Sequence, residues 1–457
     1  MIIVSMKKNR LQSGTAACMA ALLLSSCLNN KELEVPNWVQ DNCQIASFSL
    51  KNDSIRGLAQ VVFTIDQIKG EIYNRDSMPY GTVINRKIIC NVKYDGPPPS
   101  AVEVYQETTK ERKNWNGSDS LDLSKPIRFD VYSYNGKSVK TYTAKLNVHQ
   151  QKPDSMTWLR TEKLLDTERE EQRVLEWRGK YRMFVRKAGN DLLYQSDDAK
   201  TWIASSLNGL SGKTLVLSQI TVYGEALYAP AADGLLYRSD NGTDWSIVGG
   251  APEIKVLLGV VDSVTQSSRP SALAAIVKNS DSWHFASMNA KGKWTTGETV
   301  PEAFPFEGFG TVGYEAVFYR HLLVIAGKKR NGELSNLSWE TTDGLRWVSL
   351  NHSTTAGIEP CEGAAVSFYD NQIYLIGGFN ASKTASRKIY RSANRGLSWT
   401  LVNKLIVLPE TFQPRGYASL LVDKDNYMLL FGGKEKHDRA VLDELWRGRI
   451  NRLGFKE

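Results

Sequence analysis

The C-terminal two thirds of the chain repeat one short element, in which a strand-like run leads into a polar turn and a tryptophan. The clearest copies are residues 193–202 and 236–245, and looser copies end at Trp294, Trp347 and Trp399. A period of about 50 residues indicates a propeller or a solenoid, because each repeat is one small unit that buries its apolar face only against its neighbours. The repeat therefore predicts a series of similar small sheets packed side by side.

The polar turns of these copies resemble the Asp-box, the Ser/Thr-x-Asp-x-Gly-x-x-Trp turn of sialidase-like propellers. In residues 236–245 the serine is Ser239, the glycine is Gly242 and the tryptophan is Trp245. We expect the serine and its acidic or amide neighbour to hydrogen-bond the turn backbone, while the glycine takes a conformation that other residues resist. The tryptophan then packs between adjoining blades. This pattern predicts a structural role for the turns and no chemistry.

A second motif precedes some of these turns. Residues 366–378 and 421–433 resemble Kelch repeats, in which two inner strands meet at a polar turn and end in a glycine pair; residues 321–327 form a degraded copy. Six candidate third strands predict six blades. The last blade lacks an outer strand, and residues 156–160 are expected to supply it, which closes the ring and removes exposed sheet edges. The alternative is seven blades, with a final strand from residues 450–455.

The preceding part of the chain has a different pattern. Residues 41–150 consist of short runs of alternating apolar and polar residues separated by turn signals, and no helical period competes with them. Alternation on both sides of Asn135-Gly136 is a strong hairpin signal. These features predict a β-sandwich similar to an immunoglobulin domain. With the propeller expected over residues 156–457, the predicted fold class is all-β.

The first 26 residues are typical of a lipoprotein signal peptide, because a positively charged segment precedes a short apolar stretch over residues 16–24. That stretch leads into Leu-Ser-Ser-Cys, which resembles the lipobox of bacterial lipoproteins and predicts lipidation of Cys27. The alternative is an ordinary signal peptide with a chance cysteine. Residues 27–40 are interpreted as a tether. The expected location is the outer membrane or cell surface, with lipid as the membrane attachment, since no later segment approaches about 18 apolar residues.

Three cysteines remain beyond Cys27, and export would place them in an oxidising compartment. Cys43 and Cys90 both lie in strand-like runs of the N-terminal domain. The sequence leaves two alternatives open for them, a disulfide or two buried free thiols. Cys361 is expected to be unpaired and to serve as a small apolar packing residue.

Over its full length the chain resembles a family of Bacteroidota lipoproteins that pair an N-terminal Ig-like domain with a six-bladed propeller. The residues that carry this likeness are the lipobox at Cys27, the segments 63–67 and 76–82, and the mixed Asp-box and Kelch repeats. The resemblance implies the two-domain architecture. It implies no activity.

A search for chemistry finds little. The formal charge of +8 is thinly spread, without a basic tract, so nucleic acid is not an expected partner. A sialidase would need three arginines, a tyrosine beside a glutamate and an Arg-Ile-Pro motif, and that motif does not occur in the propeller sequence. None of the five histidines recurs at metal-ligand spacing, and no HExxH or paired CxxC is present. We therefore predict no catalytic residues, no metal site and no cofactor.

A ligand-binding surface is the more favoured interpretation. Propellers gather loops from every blade around one end of a central channel, and residues at the starts of inner strands are expected to share a funnel there. Five residues are candidates for ligand binding on this basis: Tyr314, Glu315, Glu362, Arg415 and Tyr417. Aromatic rings with arginine and glutamate groups suit a glycan or a peptide. The structural alternative is that these side chains pair with each other and order the channel mouth.

The sequence thus favours a non-catalytic cell-envelope lipoprotein whose propeller binds a glycan or an envelope protein. The alternative is a glycan-active hydrolase or lyase of the sialidase-like propeller type, because turns that are purely architectural leave catalysis undecided.

Overall fold

The computed structural model describes residues 36–84, 87–263, 270–316 and 319–454. The chain divides into two compact units, Met1–Gln150 and Gln151–Glu457. The predicted signal peptide, Cys27 and the tether as far as residue 35 lie outside the described residues. None of the described helices is both long enough and apolar enough to cross a membrane.

In its described part, the first unit contains one short helix, a 3-10 turn and eight strands. The helix α1 is Asn37–Gln40, the 3-10 turn is Leu58–Gln60, and the strands are β1 (Ile45–Lys51), β2 (Phe63–Asp66), β3 (Glu71–Asn74), β4 (Ile89–Tyr94), β5 (Ala101–Gln106), β6 (Glu111–Asn114), β7 (Ile127–Tyr132) and β8 (Val139–Lys145). They form a two-stranded sheet, β1-β4, and a six-stranded sheet in the order β2-β3-β8-β7-β5-β6.

One hydrophobic core joins these two sheets. Phe48 and Leu50 of the small sheet pack with Val104 and Phe129 of the large one, and all four are buried. Side chains alternate along the strands, so each sheet offers one apolar face to this shared core. The uneven division of strands follows from the parallel pairing of β3 with β8, which adds the β2-β3 hairpin to the larger sheet.

The hairpin predicted at Asn135-Gly136 is present. β7 and β8 pair in antiparallel register up to Tyr132 and Val139. Gly136 has a φ of 71°, in the left-handed region that glycine adopts at little cost.

The disulfide between Cys43 and Cys90 is not formed, and both residues are buried free thiols. Cys90 pairs across the sheet with Leu50, whereas Cys43 precedes the start of β1. At about 3.3 Å per residue, the two cysteines lie about 20 Å apart along the strand direction. A disulfide needs Cα atoms within about 7 Å of each other, so this alternative is corrected to two free thiols. Cys361 is also a buried free thiol.

The second unit is built from six sheets, counted over the residues that the structure describes. Its strands are β9 (Met156–Glu162), β10 (Glu171–Trp177), β11 (Lys180–Lys187), β12 (Asn190–Ser196), β13 (Ile203–Ser206), β14 (Thr221–Tyr223), β15 (Ala226–Pro230), β16 (Leu236–Ser239), β17 (Ser246–Ile247), β18 (Ile254–Val261), β19 (Ala272–Asn279), β20 (Ser282–Asn289), β21 (Trp294–Thr299), β22 (Pro305–Glu307), β23 (Gly310–Glu315), β24 (Arg320–Lys329), β25 (Leu334–Thr341), β26 (Val348–Ser349), β27 (Ala365–Tyr369), β28 (Gln372–Ile376), β29 (Ile389–Ser392), β30 (Thr400–Leu401), β31 (Ser419–Val422), β32 (Met428–Phe431) and β33 (Glu444–Ile450). Short 3-10 turns are Leu217–Gln219 and Asn451–Gly454.

These sheets succeed one another along the chain as β10 to β13, β14 to β17, β18 to β21, β22 to β26, β27 to β30, and β31-β32-β33-β9. The innermost strands β14, β18, β23, β27, β31 and β10 contact one another in turn, and β10 also contacts the 3-10 turn Leu217–Gln219 that precedes β14. The innermost strands therefore surround a central channel.

The strand β9 completes the last sheet, although it precedes the other sheets in the sequence. It pairs with β33 over its full length, from Ile450 opposite Met156 to Glu444 opposite Glu162. β33 ends at Ile450 and the 3-10 turn Asn451–Gly454 follows it. The segment that the seven-blade alternative required as a final strand is thus not a strand in its described part.

The turn that follows β16 shows how the repeated element stabilises each hairpin. The Gly242 amide donates to Ser239 Oγ at 2.9 Å. Asn241 Oδ1 accepts a hydrogen bond from the Asp244 amide at 2.8 Å. Gly242 has a φ of 88°. The Trp245 ring then lies edge-on to Phe184 of the preceding sheet, with centroids 6.0 Å apart. The turn residues act on the backbone, and the tryptophan packs between neighbouring sheets.

The equivalent turn after β12 should lose stability in strong acid, because it holds the carboxylate of Asp198 in its charged form. Asp198 Oδ1 accepts the backbone amides of Thr201 and Lys200, each at 2.8 Å, and these bonds lower the pKa of its carboxyl from 3.8 to about 2. Because the folded pKa is depressed, the turn's stabilisation is present above the ordinary pKa and is lost as pH falls through about 2. Carboxyl NMR, assigned with Asp198→Asn, should place the midpoint near the lower value. A midpoint near 3.8 would show that the amides do not bond this carboxylate.

Candidate functional site

Three neighbouring inner strands begin with the same backbone feature. Gly308, Gly363 and Tyr417 precede β23, β27 and β31, and their φ angles are 61°, 70° and 56°. The Gly363 amide donates to the Gly308 carbonyl at 2.6 Å, and the Tyr417 amide donates to the Gly363 carbonyl at 2.6 Å. A side chain at Gly363 would meet the Tyr417 ring at 2.9 Å, so glycine is needed there. The starts of these strands therefore meet at one end of the channel, which we call the mouth.

Glu362 and Tyr417 form the centre of the mouth. The Tyr417 hydroxyl donates to Glu362 Oε2 at 2.9 Å, and Nε2 of His437 lies 3.8 Å from the other carboxylate oxygen. The His437 ring lies edge-on to Tyr417 and to Phe379, with centroids 5.7 Å apart in both cases. Burial, reinforced by the charge of Glu362, raises the pKa of Tyr417, so its hydroxyl remains a hydrogen-bond donor.

A charged pair, Glu307 and Lys328, lies beside Glu362 and Tyr417. Lys328 Nζ and Glu307 Oε2 are 2.5 Å apart, and their side chains are 34% and 60% exposed. The hydrogen bond to Glu307 raises the pKa of Lys328, and the charge of Glu362 adds to the effect. We call Glu307, Lys328, Glu362, Tyr417 and His437 the mouth cluster. It contains two carboxylates, an ammonium group, a phenol and an imidazole.

The sequence reasoning missed three of these residues, and one of them carried a usable signal. Glu307 and Glu362 each stand directly before the glycine of the mouth turn, in Glu307-Gly308 and Glu362-Gly363. Alignment on that dipeptide would have identified Glu307. Lys328 and His437 have no comparable signal, because they reach the mouth from the ends of other strands.

Two adjoining cavities open next to the mouth cluster. The larger has a volume of about 490 Å³, and its walls include Lys383, Pro414, Lys436, His437 and Asp438. The smaller, of about 290 Å³, shares Pro414 with it. His437 thus belongs both to the mouth cluster and to the wall of the larger cavity, which makes the two features continuous.

Arg415 is not available to a ligand. It is 1% exposed, and its guanidinium donates to Glu444 and, at 2.9 Å each, to the carbonyls of Gln413 and Gly432. It also stacks on Phe412, 4.2 Å from the ring centre. The structural alternative holds for this residue, because every direction of its fork is used inside the protein.

Tyr314 and Glu315 do not share the mouth with the other candidates. Tyr314 lies four residues after the start of β23, about 13 Å further along the strand at 3.3 Å per residue. It pairs with His321 next to the following turn. Its hydroxyl donates to Glu340, and Glu315 pairs with Arg320 at 2.8 Å. The placement of these two residues in the funnel is wrong, because the glycine equivalent to Gly363 is Gly308.

The described part of the second unit contains two tyrosine–glutamate pairs, Tyr417–Glu362 at the mouth and Tyr314–Glu340 at the far end of β23. Burial and the partner carboxylate raise the pKa of both tyrosines. The pairs are suited to donating and accepting hydrogen bonds. Within the described ranges, no group of three or more histidine, cysteine, aspartate or glutamate residues is placed to hold a metal ion.

Comparisons with known proteins agree with this architecture. Residues 152–457 match the model of the DUF6242 beta propeller domain, and residues 39–146 match the N-terminal domain of the domain of unknown function DUF6242. No curated protein matches the chain. Among solved structures, one titled "Structure of YjhT" is 13% identical, with a TM-score of 0.44; the match covers 62% of this chain and 96% of that one. The all-β class and the C-terminal propeller predicted from the sequence are confirmed.

Proposed function

The chain belongs to the DUF6242 family, whose N-terminal domain precedes a β-propeller domain, and on that premise we propose that it is a non-catalytic protein that binds a glycan at the mouth cluster. The observation that carries this proposal is the convergence of Glu307 and Glu362 with Lys328, Tyr417 and His437 beside a cavity of about 490 Å³. Binding pockets for small ligands commonly measure about 300–1,000 Å³.

The chemistry of the cluster suits a polyhydroxylated ligand. Carboxylates accept hydrogen bonds from sugar hydroxyls, and an ammonium group donates to them. Glu307 and Lys328 have side chains exposed enough to exchange their mutual contact for contacts with a ligand. Tyr417 keeps Glu362 in one orientation through its hydrogen bond, so part of the site is preorganised.

The alternative is a glycan-active hydrolase or lyase. Nucleophilic catalysis by tyrosine requires a lowered pKa or an adjacent base that removes its proton. Glu362 accepts the Tyr417 hydrogen bond at 2.9 Å and is placed as such a base, but burial and the Glu362 charge raise the pKa of Tyr417 and disfavour its phenolate. This direction favours recognition over catalysis at the mouth.

We also propose the cell context and the finer architecture. Acyl chains on Cys27 would hold the protein at the outer membrane or cell surface, and an Ig-like first domain would act as a spacer. The second domain would be a six-bladed propeller with Asp-box turns and Kelch-like inner hairpins. The six sheets and the turn hydrogen bonds at Ser239 and Asn241 support the last point.

A glycan array, combined with pull-down from envelope extracts, would identify the ligand. Calorimetry should then show that Glu307→Gln and Glu362→Gln each weaken binding by about tenfold or more, because a hydrogen bond to a charged group is worth about 1.5–3 kcal/mol. Binding should persist in each single variant, and no product should be released. Glu340→Gln, in the matched pair at the far end of β23, should leave affinity unchanged. Product release that either single substitution abolishes would establish the enzyme instead.

A further inference from the structure

Arg173 is a cation without a partner in the interior of the propeller. It is the third residue of β10, the innermost strand of its sheet. Over the described part of the chain, no hydrogen bond, ion pair or ring contact joins it to another residue, and its Nε is buried without a hydrogen-bond partner. Every hydrogen-bond donor of this guanidinium is therefore unmatched by a protein acceptor.

The position of Arg173 points to the central channel. The next two residues pack on opposite sides, Val174 into one inter-sheet core and Leu175 into the next. Burial lowers the pKa of Arg173, and no acidic neighbour contributes to the shift. The side chain nevertheless remains partly exposed. Because side chains alternate along a strand, Arg173 shares the side of β10 on which Leu175 packs. Its partial exposure on an innermost strand indicates a guanidinium at the channel edge of that gap between two sheets.

The described innermost strands carry unpartnered hydroxyls, and no carboxylate lies in their middle parts. Thr221, Thr311 and Ser367, on innermost strands of three other sheets, are partly buried, and their hydroxyls have no partner in the described chain. Glu171, at the start of β10, is held by Arg186 at 2.9 Å. The other carboxylates of the described innermost strands, Glu176 and Glu315, are exposed at the far strand ends. The middle parts of these strands thus carry an unpaired guanidinium and unpaired hydroxyls, and no carboxylate.

We infer that Arg173 binds a small oxyanion in the central channel, at a site separate from the mouth cluster. An isolated buried cation is costly, and an arginine fork matches the two oxygens of a carboxylate, phosphate or sulfate group. The oxyanion is either a free ion or the acidic group of a sugar that reaches into the channel. A free oxyanion and the acidic group of a sugar both offer the guanidinium two oxygens that can accept parallel hydrogen bonds.

Calorimetric titrations with inorganic phosphate and with glucuronate test this site and distinguish its two sources. Saturable binding of phosphate supports a free ion, and tighter binding of glucuronate supports a sugar acid. In either case Arg173→Gln should raise the dissociation constant more than tenfold, and Arg173→Lys, which keeps the charge and loses the fork, should give an intermediate value. In parallel, the Arg173 Nε–H resonance can be assigned as the one that is missing from the NMR spectrum of Arg173→Lys. In the wild type, its chemical shift should change on titration with the anion and reach saturation.

Arg238→Gln is the matched control, because Arg238 is an exposed arginine paired with Asp240 on a third strand. It should bind both anions like the wild type. Binding that is non-saturable, or that is equal in wild type and Arg173→Gln, overturns the inference. So does an Nε–H resonance that neither anion moves. Neither result bears on glycan binding at the mouth.

Discussion

Glu444→Gln is expected to destabilise the propeller by about 3–5 kcal/mol, the usual cost of removing one partner of a buried ion pair. Glu444 is 4% exposed and accepts hydrogen bonds from Arg415, from Arg160 at 2.5 Å and from the Trp446 ring nitrogen at 2.8 Å. The amide would fill the same space but would leave the Arg415 charge uncompensated. Because Arg415 is 1% exposed, water cannot replace the lost carboxylate.

Urea unfolding of wild type and variant measures this loss. Glu333→Gln is the control, because Glu333 is 66% exposed and its solvent-screened ion pair with Lys329 should contribute little to stability. Burial raises the pKa of Glu444, but Arg415 and Trp446 outweigh it, so its folded pKa is lowered. The stabilisation is therefore present above the ordinary pKa and is lost as pH falls through the folded value, so the two proteins should converge in acid. Equal effects of Glu444→Gln and Glu333→Gln would contradict this account.

Trp158→Ala is expected to cost about 3–5 kcal/mol, as large-to-small substitutions of buried aromatic residues do. Trp158 lies on β9, the strand that joins the last sheet from the other end of the domain, and is 8% exposed. It pairs with Gly448, where any side chain would collide with its ring, as close as 2.4 Å. The substitution therefore removes the main anchor of the closing strand.

The neighbouring Leu159→Ala is the matched control. Leu159 lies on the same strand but is 58% exposed, so its truncation should change the free energy of unfolding by less than about 0.5 kcal/mol. Thermal or urea unfolding of the two variants provides the comparison. Closure by β9 would be refuted if both truncations had the same small effect.

Structural features formed by residues close together in the sequence could be predicted from the sequence. The turns after β12 and β16 need only a serine, an aspartate or asparagine and a residue with a positive φ within a few positions, and the structure forms the expected hydrogen bonds. That residue is Gly242 after β16 and Ala199 after β12. The hairpin at Asn135-Gly136 is equally local. The role of β9 could be predicted because one sheet lacked an outer strand and residues 156–160 were left over.

Features that depend on contacts between distant residues were not predictable. The sequence left a disulfide or two free thiols open for Cys43 and Cys90, because the register that places Cys90 opposite Leu50 is set by the whole of β1 and β4. Arg415 was chosen as a ligand residue because its partner Glu444, 29 positions away, could not be recognised in the sequence. Tyr314 was misplaced by an error of alignment within one strand.

The mouth cluster was predictable only in part. Glu362 and Tyr417 were both candidates from the sequence, and the structure joins them by a hydrogen bond of 2.9 Å between two sheets. Lys328 comes from the end of β24, and His437 comes from the loop between β32 and β33. For both residues the sequence alone gives no register. The positive φ angles at Gly308, Gly363 and Tyr417 provide the alignment that was missing.

Hydrogen exchange, followed by mass spectrometry with and without the glycan selected on the array, tests the central claim most directly. If the ligand occupies the mouth, amides around Gly308, Gly363, Tyr417 and His437 should gain protection, and those around Tyr314 should not. Protection confined to Tyr314 and its neighbours, or to the outer strands, would contradict binding at the mouth cluster.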